Sequence, residues 1–164
     1  SEAELIEAMG FTDVRPLGIE TKFEGVVLSR TRGQHGSDQA YVYGAELLGN
    51  VMGVVFRAAG EKTLYLAGDT VWNKMVETNL EMFSPDVIVL AAGDAQVPGL
   101  GSIIMGTVDI KTVFDAAPEA QIIASHMETV NHCVLSRAEL KAFAEENGMT
   151  GRLSIPADDA VLEF

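Results

Sequence analysis

The sequence predicts an α/β domain in which helices pack over a sheet, and three observations carry that expectation. Residues 63–67, 87–92 and 121–124 form short apolar runs of the length and type that buried strands have. The stretches after the first two, starting at Val71 and Val108, repeat their apolar residues at helical spacing instead. Strand and helix therefore alternate through the second half of the chain, the pattern of a sheet covered by helices.

In order along the chain, Ser1-Glu2-Ala3-Glu4 has the capping-box form ahead of apolar Leu5, Ile6 and Met9. Gly10 stands where a terminating glycine belongs, so a helix is expected first. Val26-Val27-Leu28 marks a strand, followed by a glycine-rich stretch around residues 33–36 and a polar loop holding Tyr41 and Tyr43. Residues 51–57 and 63–67 are expected as partner strands turned by Ala59-Gly60-Glu61-Lys62. From Val71 onward, Trp72, Met75, Val76, Leu80 and Phe83 share one helical face, and Ser84-Pro85 ends the helix. Strand 87–92 leads into a glycine-rich loop over 93–106, then a helix over 108–117 stopped by Pro118, then strand 121–124. Ser136 and Glu139 form a second capping box, with Leu135 and Leu140 as its hydrophobic staple, for a helix closing at Gly148. Two short strands, 152–155 and 160–164, are expected to finish the chain.

The 164 residues suit a single domain, 1–164, with enough chain to bury a core. A hydrophobic share of 48% lies at the upper end of the ordinary range, which fits an apolar face that wants a further layer. No apolar run approaches the roughly 20 residues of a membrane-spanning helix, so no membrane partner is expected. Eleven Lys and Arg against 24 Asp and Glu give a net charge of −13, and no basic stripe interrupts it. Such a field repels polyanions, which removes nucleic acid from the expected partners. Cys133 is the single cysteine, so no internal disulfide framework exists; with no signal peptide at the start, a cytoplasmic location is expected.

Three residues stand where α/β folds build sites. Asp69 follows the apolar run ending at Ala67-Gly68, and His126 follows the run ending at Ala124-Ser125. His35 sits between glycines in Gly33-Gln34-His35-Gly36, after the strand begun at Val26. Ligands in such folds gather at the carboxyl ends of strands. Singly each has an ordinary reading: Asp69 or Thr70 as a helix cap, His126 as a hydrogen-bonded structural residue, His35 as a surface-loop histidine. Together, two histidines and an aspartate at three strand exits make a mixed N/O donor set suited to Zn, Mn or Fe.

With these motifs in this order, the sequence resembles the metallo-β-lactamase superfamily, most closely the branch of L-ascorbate-6-phosphate lactonases. Gly33-Gln34-His35-Gly36 looks like that family's third metal motif, Leu66-Ala67-Gly68-Asp69-Thr70 like its Gly-Asp-Thr motif, and Ala124-Ser125-His126 like its last ligand histidine. The resemblance implies an αββα sandwich and a metal-dependent hydrolase of a small ester, lactone or phosphorylated metabolite. It implies divalent metal, Zn or Mn, as two ions: His35 on one, His126 on the other, and Asp69, the catalytic residue, bridging them around a hydroxide. The family's His-x-His-x-Asp-His motif is absent, since no histidine precedes His35. The chain is therefore expected to supply the carboxyl-terminal part of the sandwich, with an incomplete site. Its expected partners are a small-molecule substrate and either further copies of itself or the missing amino-terminal part.

Two other functions fit the same residues. One is a hydrolase in which His35, Asp69 and His126 hold a single ion; the other is a non-catalytic scaffold or partner domain that kept the fold. Elsewhere, His132 and Cys133 lack the further ligands of a structural zinc site, and Cys133 reads better as a buried thiol. Asp94, after the strand ending at Ala92, is expected as a solvated loop carboxylate more readily than as a site residue. Tyr41 and Tyr43 are candidates for a substrate pocket, whereas Trp72 belongs to a buried helix face.

Overall fold

The computed structural model describes residues 2–128 and 130–164. Its elements, in chain order, are α1(Glu2–Ala8), β1(Glu20–Phe23), β2(Val26–Arg32), α2(Asp38–Leu48), β3(Met52–Arg57), β4(Leu64–Leu66) and α3(Lys74–Phe83). They continue as β5(Val87–Ala91), β6(Gln96–Val97), β7(Gly101–Ser102), α4(Thr107–Ala116), β8(Gln121–Ser125), α5(Arg137–Glu146) and β9(Leu153–Ser154). This is the α/β class expected from the sequence.

Seven strands form one mixed sheet in the order β1-β2-β3-β4-β5-β8-β9. The pairs from β1 to β4 are antiparallel, β1–β2 and β3–β4 as hairpins and β2–β3 joined through α2, and those from β4 to β9 are parallel, joined through helices. Register fixes what each face carries, because side chains alternate along a strand. Ser29, Val55, Tyr65, Ile88, Ile122 and Leu153 stand in one row across the sheet and are all buried. The buried residues of α3, α4 and α5, among them Val76, Leu80, Ile110, Val113, Leu140 and Ala144, join this row in one core. The neighbouring row, Arg30, Val54, Leu66, Val89 and Ile123, faces the other way. That second face is apolar and open: Leu66 is 43% and Met52 45% exposed.

A smaller core packs at the carboxyl end of β5, where Ala40 and Leu48 of α2 meet Ala91, Ala95, Ile103 and Ile104. α2 lies where a polar loop was expected around Tyr41 and Tyr43. Ser37 caps it, its hydroxyl accepting from the N–H of Ala40 at 3.1 Å. Ala40, Gly44 and Leu48 form the buried stripe, and Gly44 leaves room for Leu100.

The Ser136 and Glu139 capping box is present in full. Ser1, half of the other expected box, lies outside the described residues. β1 is an element the sequence reading missed. It pairs with β2 through a two-residue turn, Glu24 and Gly25, both at positive φ, which matches the twist of a hairpin. The strand expected over 160–164 does not form. The sheet already ends at β9, and Val161 is 85% exposed with no ladder to join. None of the described helices is long and apolar enough to cross a membrane.

Candidate metal centre

The three parallel strands β4, β5 and β8 run in one direction, so their carboxyl ends lie side by side. Asp69 leaves β4 and His126 leaves β8, with β5 between them. What allows the two to meet is Gly93, just past the end of β5. A Cβ there would lie 2.5 Å from the carbonyl oxygen of His126 and 2.7 Å from Cys133 Sγ. His126 itself adopts φ 55, a left-handed turn that sends the chain sharply out of β8. Gly68, at φ 73, plays the same part before Asp69: its missing side chain makes space for the Met52 carbonyl at 2.6 Å from the Cβ position.

As a result, Asp69 Oδ1 and His126 Nε2 stand 3.9 Å apart, both side chains somewhat over one third exposed. The separation is too long for a hydrogen bond. It is shorter than twice a metal–ligand bond of about 2.0–2.2 Å, so one ion can touch both atoms. Beside them the Cys133 thiol is pushed up, first by burial and more weakly by the charges of Asp69 and Asp94, against a lowering backbone hydrogen bond at Val130.

His35 stands in the adjacent loop. Its Nδ1 lies 3.1 Å from the carbonyl oxygen of Leu48, which can only accept, so Nδ1 carries a proton and the neutral ring presents its lone pair at Nε2. Metal-ligating histidines are held in this way. Among the described residues, however, no three His, Cys, Asp or Glu side chains converge to hold one ion. The donors fit a pair, Asp69 with His126, and a separate histidine prepared to donate from Nε2. The three-ligand, single-ion arrangement lacks its geometry.

Neither Asp69 nor Thr70 caps a helix. That task falls to Asn73, whose Oδ1 accepts from the N–H groups of Met75 and Val76 at 2.8 and 3.1 Å. Asp94 is a half-buried loop carboxylate. It adopts φ 47 and accepts from Ser102 Oγ at 2.6 Å and Gln96 Nε2 at 3.2 Å, which holds the β6–β7 hairpin beside the site. Asp109, which the sequence reading did not single out, accepts from the N–H of Trp72 at 3.1 Å. Burial holds its carboxyl above the usual range. Tyr41 lines a cleft of about 400 Å³ with Arg30, Arg32, Gln34 and Asn50, while Tyr43 is exposed on α2. Trp72 packs against the main core. His132 is exposed, and the Cys133 thiol points to the His126 carbonyl at 3.7 Å.

No family model matches the chain. It is 44% identical over its whole length to the UPF0173 protein YddR of Bacillus subtilis (strain 168), of which it covers 63%. Among solved structures it is similar to an isothiocyanate hydrolase from Delia radicum gut bacteria. There the TM-score is 0.95 and the identity 43%, with 99% of this chain and 63% of that one covered. A possible metal-dependent hydrolase from Veillonella parvula DSM 2008 aligns with TM-score 0.94 and 44% identity, over 97% and 62%. At 10% identity, the metallo-β-lactamase fold protein YhfI of Bacillus subtilis still superposes with TM-score 0.66 over 99% of this chain and 62% of its own. This is the metallo-β-lactamase fold. The chain spans slightly less than two thirds of the length of each of these proteins. Within the metallo-β-lactamase fold, Asp69, His126 and His35 occupy the carboxyl edge of the mixed sheet and the loop beside it.

Proposed function

We propose that this chain contributes Asp69, His126 and His35 to the metal centre of a hydrolase acting on a small molecule at an electrophilic carbon or phosphorus. The observation that carries the reading is the 3.9 Å approach of Asp69 and His126 at neighbouring strand ends. The similarity to an isothiocyanate hydrolase and to a possible metal-dependent hydrolase supports it. A bound divalent ion supplies a lowered water pKa and polarisation of the attacked group. The chain's own residues do the rest. Asp69 and His126 offer one oxygen and one nitrogen donor, and the Leu48 carbonyl fixes the tautomer of His35. Gly68 and Gly93 leave room for the Met52 and His126 carbonyls at the two strand exits.

The remaining donors belong, in this reading, to a second β layer from a segment outside this sequence, which packs on the open Leu28, Val54, Leu66 and Ile123 face. The relatives' additional length supports this. Among substrates, an isothiocyanate is favoured by the similarity, with a lactone, ester or phosphorylated metabolite as the wider class.

Elemental analysis of the full-length protein, beside Asp69→Ala and His126→Ala, tests the site. Both variants should lose metal, and unchanged stoichiometry would refute the ligand assignment. Turnover of an isothiocyanate, a lactone and a phosphate ester by the metal-loaded protein separates the substrate classes.

A further inference from the structure

Within Gly68-Asp69-Thr70, the residue that is fully buried is the threonine, at 0% exposure. Its Oγ1 accepts from the backbone N–H of Gln34 at 2.9 Å and from Asn73 Nδ2 at 3.1 Å, and it donates to the carbonyl of Val71 at 2.9 Å. A hydroxyl has one proton and two lone pairs, so every bonding position is occupied. A second bond runs back, from the N–H of Val71 to the carbonyl of Gln34 at 3.0 Å, which makes the link reciprocal.

The position of this link matters. Gln34 directly precedes His35, and Thr70 directly follows Asp69, so the two loops are joined one residue from each candidate ligand. Gly33 allows the contact, because a Cβ there would lie 3.0 Å from Thr70 Cβ and 3.1 Å from its Oγ1. On its other side Thr70 holds Asn73, which caps α3, so the clasp is anchored to a helix packed in the core.

We infer that Thr70 is a positioning residue whose buried hydroxyl clasps the His35 loop to the Asp69 loop and thereby sets the metal affinity of the site. This rests on the proposed role of His35 and Asp69 as ligands. Valine fills nearly the same volume but leaves the Gln34 N–H without an acceptor, whereas serine keeps all three bonds. A threonine that only supported the fold would change the unfolding midpoint and leave the affinity of the folded protein for metal intact.

The test uses the full-length natural protein, with Zn(II) dissociation constants from competition with a chromophoric chelator and urea midpoints measured beside them. Thr70→Val should weaken Zn(II) binding by about 10–100-fold, the usual effect of removing a group that orients a ligand. Thr70→Ser should stay close to wild type. If Thr70→Val fails to fold, Gly33→Ala decides: pressing on the same contact from the other side, it should also weaken binding. Wild-type affinity in folded Thr70→Val, or in Gly33→Ala where that variant decides, overturns the clasp. Asp69→Ala separates the two layers of argument. If it alone loses Zn(II), the ligand assignment stands without the clasp; if it too binds as wild type does, the ligand assignment falls and takes the clasp with it.

Discussion

Gly93 offers the sharpest single perturbation of the site, because one methyl group there meets the backbone of a candidate ligand. In Gly93→Ala the new Cβ would lie 2.5 Å from the His126 carbonyl oxygen, against the 3.4 Å at which ordinary contact begins. Relief therefore needs 3.4 − 2.5 = 0.9 Å of movement. The Cys133 Sγ, 2.7 Å away, can rotate aside, but the carbonyl belongs to a residue already in the left-handed region and has little freedom. Overpacking of this kind costs about 1–3 kcal/mol. A displacement of that size directed along the line from Asp69 to His126 takes their 3.9 Å separation to its upper bound, 3.9 + 0.9 = 4.8 Å. That exceeds the roughly 4.2 Å that two bonds of about 2.1 Å can span. Urea denaturation should show the loss of stability, and chelator competition on the full-length protein the loss of metal affinity. Cys133→Ala added to Gly93→Ala should restore neither, since it leaves the carbonyl clash in place. A Gly93→Ala protein with wild-type midpoint and wild-type metal affinity would refute the packing argument.

Three further outcomes are expected. Ser136→Ala removes the hydroxyl of the α5 capping box and should cost about 0.5–2 kcal/mol in urea unfolding, with no change in metal binding. Burial raises the Asp109 carboxyl above its unfolded value, so the folded state binds that proton more tightly and stability falls as pH rises from the ordinary carboxylate range through the raised one. Asp109→Asn should flatten that fall in urea midpoints measured across mildly acid to neutral pH, while a variant with the same pH profile as wild type would count against it. Leu66→Asp puts a charge on the open sheet face. In the 164-residue chain it should shift stability by no more than about 0.5 kcal/mol, and in the full-length protein by several-fold more; equal effects in both would argue against a covering layer.

The parallel half of the fold was legible because its strands are buried on register and its helices carry ordinary punctuation. Ser136 with Glu139, Pro85 and Pro118 all act where the sequence placed them. α2 escaped because its buried stripe is made of Ala40, Gly44 and Leu48, of which two are too small to register as apolar periodicity. β1 escaped because its turn is Glu24-Gly25, and glutamate is an unusual residue to hold positive φ. At the site, Asp69 and His126 could be paired from their strand ends. The contribution of Gly93 could not, because its significance lies in a carbonyl 33 residues further along the chain, 126 − 93 = 33. The Thr70 clasp depends likewise on a partner 36 residues away.

The change from antiparallel to parallel pairing at β4 has a consequence for how the centre comes into being. Hairpins such as β1–β2 and β3–β4 need only neighbouring segments, whereas Asp69 and His126 are 126 − 69 = 57 residues apart and meet only after β5 and β8 have both docked. A nascent or partly unfolded chain thus has no preassembled pair with which to sequester an ion. In the proposed metal centre, an ion held by Asp69 and His126 would reward the finished sheet alone, adding its binding free energy to the native state and none to its precursors. Assembly order, written in strand direction, would then act as quality control on metallation.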